Sequence, residues 1–470
     1  MPPFKWYRKA VRHIQARRRF VALGLICMTL GIASAERSGL AVAAPELSTA
    51  LNLGPSYLGW LFSAFSWTYV VAQIPAGLLV ERFGVRPIIG TGLAASALCS
   101  LLVALAGAPA LVAHSWGLIL AARLLLGISQ SPLGGSSGMV LATWFPKQER
   151  GVAGAVYASM PYFAIAIFNP LLAWVVNHLG WAMSFVVLAF LGVMGSAIWS
   201  SVFRTPQQHK HLSAKEKRLL TSGGALWGAP KTERVSPPGG ASEDTPLTAG
   251  SNTNSLISDL RQLFSQQLFR GLVVAQYAIA SITWFFLAWF PAYLVHDMGL
   301  TLAEAGALSA FPAIGGFIGG TVAGVFSDAL LRRTHSLNIA RKTPVYIGMG
   351  LVIAGFLACL FTRDPTLIAV FMTIAFFGKS VGTMIWTLVS DLAPANRVGL
   401  TGSVVNAFTN LSGIITPIVV GYAVAIYGNF DLALGVVAAH AALAIAMNVW
   451  VMGHLQRMPD LKAPEPRPAS

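Results

Sequence analysis

The chain alternates between long apolar stretches and short polar segments. Twelve of the apolar stretches hold about 18 or more residues, the length that a helix needs to cross the hydrocarbon core of a bilayer. The pattern predicts an all-α integral membrane protein with twelve transmembrane helices. They fall into two sets of six, at 20–44, 57–80, 88–106, 116–141, 152–174 and 181–203, then 269–294, 304–328, 344–362, 366–390, 399–425 and 432–452.

A polar segment, 204–268, separates the two sets. Its middle is rich in Gly, Ser, Pro and Thr, as flexible linkers are, whereas its ends are predicted to form short surface helices. Ser213 followed by Glu216 is the pattern of a helix N-terminal capping box. The predicted domains are a basic tail (1–19), a first half (20–203), the linker (204–268), a second half (269–452) and a second tail (453–470).

Composition and charge placement fit this division. The mean hydropathy is +0.66, with 55% hydrophobic and 10% charged residues, and the formal net charge is +15. With the N-terminus inside, 28 of the 32 lysines and arginines lie on the cytoplasmic side. Such a bias sets the orientation of membrane proteins, so both termini are predicted to be cytoplasmic. The basic surplus therefore indicates contact with the lipid bilayer, and no basic domain suited to nucleic acid is present.

The two sets resemble each other in sequence. After the second stretch the chain reads Gly77-LLV-Glu81-Arg82-Phe83-Gly84-Val85-Arg86, and after the eighth it reads Gly324-VFS-Asp328-ALL-Arg332-Arg333. Two similar halves in one orientation place a substrate site near the midplane between them. The acids are expected to latch a cytoplasmic gate, unless they are ordinary inside-facing charges. The gate residues are Gly77, Glu81, Arg82, Gly84, Arg86, Asp328 and Arg332.

Away from the span ends, four charged residues fall inside the predicted spans, namely one acid, Glu36, and three bases, Arg37, Arg123 and Lys379. A charge at mid-bilayer is costly unless it is paired or hydrated, so such residues are expected to face the interior of the bundle. If all four are ionised, the positive surplus favours an anionic substrate. No pattern for a metal site or a nucleophile is found, and an enzyme is not predicted.

Helical spacing predicts which of these residues lie on the same face of a helix. Arg123 shares a helix face with Gln130 and lies one turn from Gly127, where another backbone can approach. Glu36 and Arg37 are about 100° apart, so each should point to a different neighbour. Lys379 is expected to share a face with Trp386.

Structural roles are the alternatives for the same residues. Arg123 would then be a static partner of Glu36, and Lys379 would snorkel or offset a dipole. Polar aromatic and amide side chains in the spans either bind substrate hydroxyls or pack helices together. They are Tyr69, Gln73, Tyr157, Gln276, Trp284, Trp386, Asn406 and Asn410.

Several motifs resemble those of a known family. G-x3-[DE]-R-x-G-x-[RK] between the second and third spans resembles the signature loop of the major facilitator superfamily. Similarity to its anion:cation symporter branch, which transports hexuronates, aldonates and aldarates, runs from about residue 20 to 450. The motifs that carry it are FSAFSWTYVVAQIPAG (62–77), TWFPKQERG (143–151), WFFLAWFPAYL (284–294), ARKTP (340–344) and SDLAPANRVGLTGSVVN (390–406).

The resemblance implies roles for particular residues. The branch carries an Asp-Arg pair in the first span and an Arg in the fourth, which fall on Glu36, Arg37 and Arg123. Glu36 would couple the proton, and the arginines would hold the substrate carboxylate. Tyr69, Trp386 and Asn406 match positions that contact sugar acids. Two departures are Gln130, where members often carry a second acid, and Lys379, whose position is more often uncharged.

The sequence therefore predicts a monomeric, proton-coupled importer of a small organic anion in the bacterial inner membrane, working by alternating access and needing no cofactor besides the proton. Gln130 leaves one titrating acid, so the coupling ratio is lower or coupling is absent. Lys379 suggests a second carboxylate on the substrate, or a more acidic one. The alternatives are a facilitator or exporter of other carboxylates, such as aromatic acids, and a membrane sensor derived from a transporter.

Overall fold

Long helices account for nearly all of the part of the chain that the structure describes. The computed structural model describes residues 18–209, 212–223, 225, 253–383, 385–394 and 397–461. Within these residues the first helices are α1 (Arg18–Ala50), α2 (Pro55–Phe83), α3 (Val85–Leu105), α4 (Ser115–Gln130), α5 (Pro132–Trp144), α6 (Lys147–Leu179), α7 (Trp181–Val202) and α8 (Ala214–Ser222). They continue as α9 (Thr253–Ser265), α10 (Gln267–Ala288), α11 (Phe290–His296), α12 (Leu302–Thr334), α13 (Leu337–Cys359), α14 (Pro365–Gly382), α15 (Ile385–Leu392), α16 (Val398–Tyr427) and α17 (Asp431–Ala446).

Each of the twelve predicted spans coincides with one long helix or with two consecutive helices. Ten helices in the described chain are long and apolar enough to cross a membrane. Large apolar side chains such as Leu78, Phe190 and Val325 are exposed on their surfaces, where lipid would cover them. The predicted all-α membrane fold is therefore confirmed, whereas the cytoplasmic placement of the termini stays a prediction.

Three predicted spans are broken. The fourth divides at Ser131, before Pro132, and the seventh divides at Trp289, before Pro291. A proline has no N–H to donate and disfavours helical backbone in the residue before it, which accounts for both breaks. The tenth span divides after Gly382, so Lys379 and Trp386 lie on separate helices. The expectation that they share one face assumed a continuous helix, and it stays a prediction because the Trp386 side chain lies outside the described residues.

The described helices form two compact units. Unit 1 comprises Met1–Leu53, Trp60–Pro237 and Leu302–Ala310, and unit 2 comprises Gly54–Gly59, Pro238–Thr301 and Phe311–Ser470. In unit 1, α1 packs along α6 and α7, and α3 packs along α7 and α4. In unit 2, α10 packs along α16 and α17, and α13 along α14 and α17. The domain limits drawn from the sequence stay a prediction, because the units include short segments from either side of those limits.

The core of unit 1 surrounds α1, which is buried over most of its length. Trp144, Phe145, Trp199 and Phe203 fill one end of this core, and Trp199 stacks on Phe203 with ring centroids 4.1 Å apart. Small residues along α1 let neighbouring helices approach closely, as they do in membrane bundles. The fold therefore holds the middle of α1, where Glu36 and Arg37 lie, among several neighbouring helices.

The linker ends are helical where they are described. Ser213 caps α8 by accepting a hydrogen bond from the Glu216 N–H at 3.1 Å, so the Ser213 half of the predicted capping box is confirmed. The buried Glu216 carboxylate in turn accepts a bond from the Arg19 N–H at 3.0 Å. In unit 2, Asp259 of α9 pairs with Arg397 at 2.8 Å. The linker middle, 226–252, and most of both predicted tails, 1–17 and 462–470, lie outside the described residues.

Candidate functional site

Glu36 lies in the middle of α1 and is only 2% exposed. One carboxyl oxygen accepts a hydrogen bond from the Ser96 hydroxyl of α3 at 2.9 Å. The other accepts a bond from the Gln130 side-chain N–H of α4 at 2.7 Å. Both oxygens of the buried acid therefore have a polar partner from another helix, which offsets part of the cost of removing the acid from water.

The Gln130 amide bridges this acid to a base. Its nitrogen donates to Glu36, and its oxygen accepts from the Arg37 Nε–H at 2.7 Å. No ion pair within 4 Å joins Glu36 to Arg37 or Arg123 among the described residues. Glu36 and Arg37 therefore do not bond each other directly, as expected, but they share the neighbour Gln130 instead of pointing to different ones.

Aromatic rings hold the Arg37 guanidinium on its other side. Its central carbon lies 4.8 Å from the Phe65 ring centroid and 5.2 Å from that of Tyr69. The two rings are stacked, with centroids 5.0 Å apart. A cation over an aromatic face is stabilised by the ring quadrupole and keeps its N–H groups available. Within the described residues, the only hydrogen bond of the Arg37 side chain is the one to Gln130.

Arg123 is the most enclosed base of this group, at 4% exposed. One terminal nitrogen donates to the backbone carbonyl of Glu36 at 3.4 Å, and its central carbon lies 5.9 Å from the Phe65 ring centroid. Its buried Nε–H has no hydrogen-bond partner in the described chain. A buried guanidinium with an unused donor is costly unless a ligand or water completes it. The expected static pairing of Arg123 with the Glu36 carboxylate is absent among the described contacts.

A narrow cavity joins Glu36 and Arg123. The volume that a water molecule can occupy in it is about 10 Å³, which is room for about one water. Apolar side chains make up much of its wall, and Cys99 and Ser100 of α3 contribute the other polar groups. The site therefore has little room beside the acid itself.

Two glycines let the helices approach closely enough to form this group. A Cβ at Gly127 of α4 would meet the backbone carbonyl of Phe65, the N–H of Tyr69 and the Thr68 hydroxyl, so α2 and α4 touch there. The backbone approach predicted at Gly127 is confirmed. A Cβ at Gly192 of α7 would lie 3.2 Å from a Glu36 carboxyl oxygen and 2.8 Å from the Ala97 Cβ.

In unit 2, Lys379 is buried on α14, at 3% exposed, and its ammonium lies 5.4 Å from the Phe376 ring centroid. Gln276 of α10 is also buried, and its side-chain N–H group has no hydrogen-bond partner in the described chain. The backbone carbonyl and side-chain oxygen of Asn406 accept bonds from Asn410 at 2.9 and 3.2 Å. Trp284 is half-buried, and the Trp386 side chain lies outside the described part.

The predicted substrate residues are thus brought together only in part. Unit 1 joins Glu36, Arg37, Arg123, Gln130 and Tyr69 in one group. Lys379, Gln276, Trp284 and Asn406 belong to unit 2, and their contact with substrate stays a prediction.

This arrangement offers an anion two guanidinium groups and a buried acid that can carry a proton, on a scaffold of membrane helices. The protein-family model described as Major Facilitator Superfamily matches residues 21–340 and 335–470 of the sequence. This chain belongs to the major facilitator superfamily. The protein is accordingly a membrane transporter and not an enzyme, and a multi-pass protein of the bacterial inner membrane.

Relatives match the transporter over nearly its whole length. The protein named "Probable galactarate/D-glucarate transporter GarP" of Escherichia coli K12 is 35% identical, covering 94% of this chain and 96% of that protein. The "D-galactonate transporter" of Escherichia coli O6:H1 is 32% identical, covering 94% and 97%. A solved bacterial homologue of the human lysosomal transporter Spinster matches with a TM-score of 0.62 at 16% identity, covering 93% and 94%, and supports the fold alone.

The predicted gate of the transporter is described in part. Gly84 joins α2 to α3 with a φ of 87°, which favours glycine. Arg86 donates to the Ser200 backbone carbonyl near the end of α7, and Arg82 and Arg332 are exposed. Gly77 lies in α2 with open space around its Cα, whereas the side chains of Glu81 and Asp328 lie outside the described part. The proposed latch by these acids therefore stays a prediction.

Sequence reasoning missed several polar partners in the transporter. Ser96 and Phe65 complete the Glu36 group, yet a serine or phenylalanine in an apolar span carries no signal of its own. In unit 2, Arg341 donates to Asp391 at 2.9 Å and to the Ser327 hydroxyl at 3.0 Å. Arg341 and Asp391 lie in two of the motifs used for the family resemblance, but nothing in those motifs indicated that the two residues pair.

Proposed function

We propose that this transporter imports a sugar acid together with a proton, and that its substrate is an aldarate, a sugar with a carboxylate at each end. The Glu36–Gln130–Arg37 group, with Arg123 beside it, is the observation that carries the proposal. In this group the Gln130 amide bridges the acid, Glu36, to Arg37, a base that has unused hydrogen-bond donors. Both the proton and an organic anion would be held by the same few residues.

In the proposed cycle Glu36 carries the proton, and Arg37 and Arg123 bind the substrate carboxylate. With Glu36 protonated, the group carries the positive charge of Arg37 and Arg123 and attracts the substrate carboxylate. A guanidinium presents paired N–H donors that match the two oxygens of a carboxylate, so the arginines would bind the anion directly. Loss of the proton on the cytoplasmic side would restore the Glu36 carboxylate, which competes for the same positive charge and releases the substrate. Alternating access of the two halves would carry both species across.

The choice of an aldarate rests on two observations. Relatives at 35% identity are named galactarate/D-glucarate transporters, and both sugars of that name are dicarboxylates. Lys379 adds a third base within the spans, buried in unit 2, beyond what one carboxylate requires. We assign this ammonium to the second carboxylate of the substrate.

Transport by purified protein in liposomes tests the coupling. Radiolabelled D-glucarate should accumulate against its gradient when the outside is made acidic. Glu36→Gln should abolish the accumulation while still allowing exchange of labelled for unlabelled substrate, because exchange needs no net proton movement. Glu46→Gln is the matched control, since Glu46 lies on the same helix but bonds the Trp181 N–H at 3.3 Å, away from this group. Uphill accumulation by Glu36→Gln would contradict the proposal.

Substrate discrimination tests the role of Lys379. The parent should bind D-glucarate at least about tenfold more tightly than D-galactonate, because one charged contact in a buried site contributes about 1.5–3 kcal/mol. Lys379→Gln should weaken D-glucarate binding and leave D-galactonate binding nearly unchanged. Equal loss for both acids would assign Lys379 to structure instead of substrate recognition.

A facilitator is the second candidate, and Gln130 is the observation that favours it. Where related transporters often carry a second acid, this amide cannot release a proton. Equal D-glucarate distribution across the membrane, with or without a pH gradient, would establish facilitation.

A further inference from the structure

The Gln130 amide has a fixed direction in the structure. Its N–H end faces Glu36 at 2.7 Å and the Ala33 backbone carbonyl at 3.4 Å, and its carbonyl end faces the Arg37 Nε–H at 2.7 Å. The reverse orientation would set a carbonyl against a carboxylate oxygen and an N–H against an N–H. An ionised Glu36 and Arg37 therefore fix the amide together, and the amide in turn holds Arg37.

Protonation of Glu36 changes what this amide can do. If the proton sits on the oxygen that faces Gln130, that oxygen becomes a donor, and the amide must turn its carbonyl toward it. The N–H end then faces the Arg37 Nε–H, so the bond that held Arg37 is lost. A rotated amide occupies nearly the same volume, so the change costs little in packing.

The proton could instead lie on the other carboxyl oxygen of Glu36, which faces Ser96. Its hydroxyl lies 2.9 Å from the other Glu36 oxygen and 3.0 Å from the Leu93 carbonyl, and it has one hydrogen to give. A proton on that oxygen would be accepted by Ser96, which would then donate to Leu93. Even so, Gln130 would now donate to a neutral acid, and a hydrogen bond to a neutral group is about half as strong as one to a charged group.

We propose that the Gln130 amide couples the protonation of Glu36 to the release of Arg37, so that a protonated acid frees Arg37 for the substrate carboxylate. This inference rests on the proposed proton-coupled function and assigns its coupling step to one neutral side chain. By reciprocity, substrate binding to Arg37 favours protonation of Glu36 by the same factor. A second acid at position 130 is then unnecessary for coupling.

Other groups near Glu36 do not offer the same link. The charged or titratable side chains facing it are Arg37 of its own helix, Cys99 of α3 and Arg123 of α4. From α7, Gly192 packs against the carboxyl, and from α6, Tyr157 lies near Arg37. Within the described residues, only Gln130 has hydrogen bonds to both the acid and Arg37.

The test measures D-glucarate affinity in purified protein from mildly acidic to mildly alkaline pH. In the parent, affinity should fall about tenfold per pH unit once Glu36 ionises, because one proton is linked to one substrate. Gln130→Met keeps the length and removes the amide, and the dependence should drop to about twofold per pH unit, with affinity at acidic pH retained. Gln130→Asn, whose amide is too short to reach both partners, should behave alike.

Ser96→Ala is the matched control. It removes a partner of Glu36 that has no bond to Arg37, so the pH at which affinity begins to fall should shift, whereas the tenfold fall per pH unit should persist. A parent-like pH dependence in Gln130→Met and Gln130→Asn would overturn the inference, as would an equal loss in Ser96→Ala. Failure of both Gln130 variants to bind at any pH would also overturn it, by making Gln130 a binding residue.

A different set of results would contradict the proposed function itself. If D-glucarate affinity in the parent is independent of pH, or if Glu36→Gln keeps the parental dependence, proton coupling through Glu36 is wrong. If Glu36→Gln removes the dependence and the Gln130 variants keep it, the coupling stands and only the role of the amide is lost.

Discussion

Charged side chains are held in two different ways in this transporter. In the middle of α1, Glu36 and Arg37 share no direct bond, and the neutral Gln130 amide stands between them. At the helix ends of unit 2, Arg341 bonds Asp391 directly at 2.9 Å. Glu36 and Gln130 of the first group are buried and Arg37 is half-buried, whereas Arg341 and Asp391 are 13% and 27% exposed.

The difference follows from what each pair must do. A direct ion pair in a dry interior is strong in Coulomb terms, and a substrate anion would have to compete with it. An intervening amide keeps both charges hydrogen-bonded but leaves each separable from the other. At the helix ends the water-exposed pair has no such requirement, so a direct bond can join two helices and remain closed.

The largest expected effect comes from separating the helices that build the enclosed group. Gly127→Leu would force a side chain into the Phe65 carbonyl and Tyr69 N–H, displacing the rings under Arg37. We expect the free energy of unfolding to fall by at least about 3 kcal/mol, and D-glucarate binding to be lost. Thermal unfolding in detergent and binding by calorimetry measure both.

Gly117→Leu provides the matched control for that change. Gly117 lies on the same helix, with open space where a Cβ would be. Its substitution should leave stability and binding near the parent, whereas a comparable loss would mean that α4 tolerates no larger residue anywhere.

Much of this fold could be predicted from the sequence because hydropathy and length determine membrane spans. The facing of Arg123 and Gln130 followed from helical spacing, and so did the separation of Glu36 from Arg37. The broken tenth span could not be predicted, since no proline marks the break after Gly382. A helix period alone therefore does not determine whether Lys379 and Trp386 share a face.

The partners that the sequence did not reveal share a physical reason. Ser96 and Phe65 contact the charged group only because the fold places them beside it. Apolar spans contain many serines and phenylalanines, so the residue type alone does not identify these two. Arg341 and Asp391 are far apart along the chain and are joined by tertiary packing. Spacing within one helix carries no information about contacts of that kind.

An intermediate effect is expected for the direct pair in unit 2. Arg341→Gln and Asp391→Asn should each destabilise the protein, and a double-mutant cycle should give a coupling of about 1 kcal/mol, reduced by salt. Asp391→Asn combined with Arg332→Gln, an exposed arginine, should be additive. Coupling that survives high salt would place this pair in an enclosed environment, like the Glu36 group.

The smallest effect is expected at the pair between Arg363 and Asp431, which is direct but open to solvent. Their side chains are 55% and 40% exposed, and the nearest nitrogen and oxygen are 3.2 Å apart. Water and ions compete for such charges, so Arg363→Gln should change the free energy of unfolding by no more than about 0.5 kcal/mol. Thermal unfolding with and without added salt measures this change. A larger effect, or altered D-glucarate binding, would show that a direct bond can matter in this protein without enclosure, and would remove burial as the reason for the contrast with Glu36.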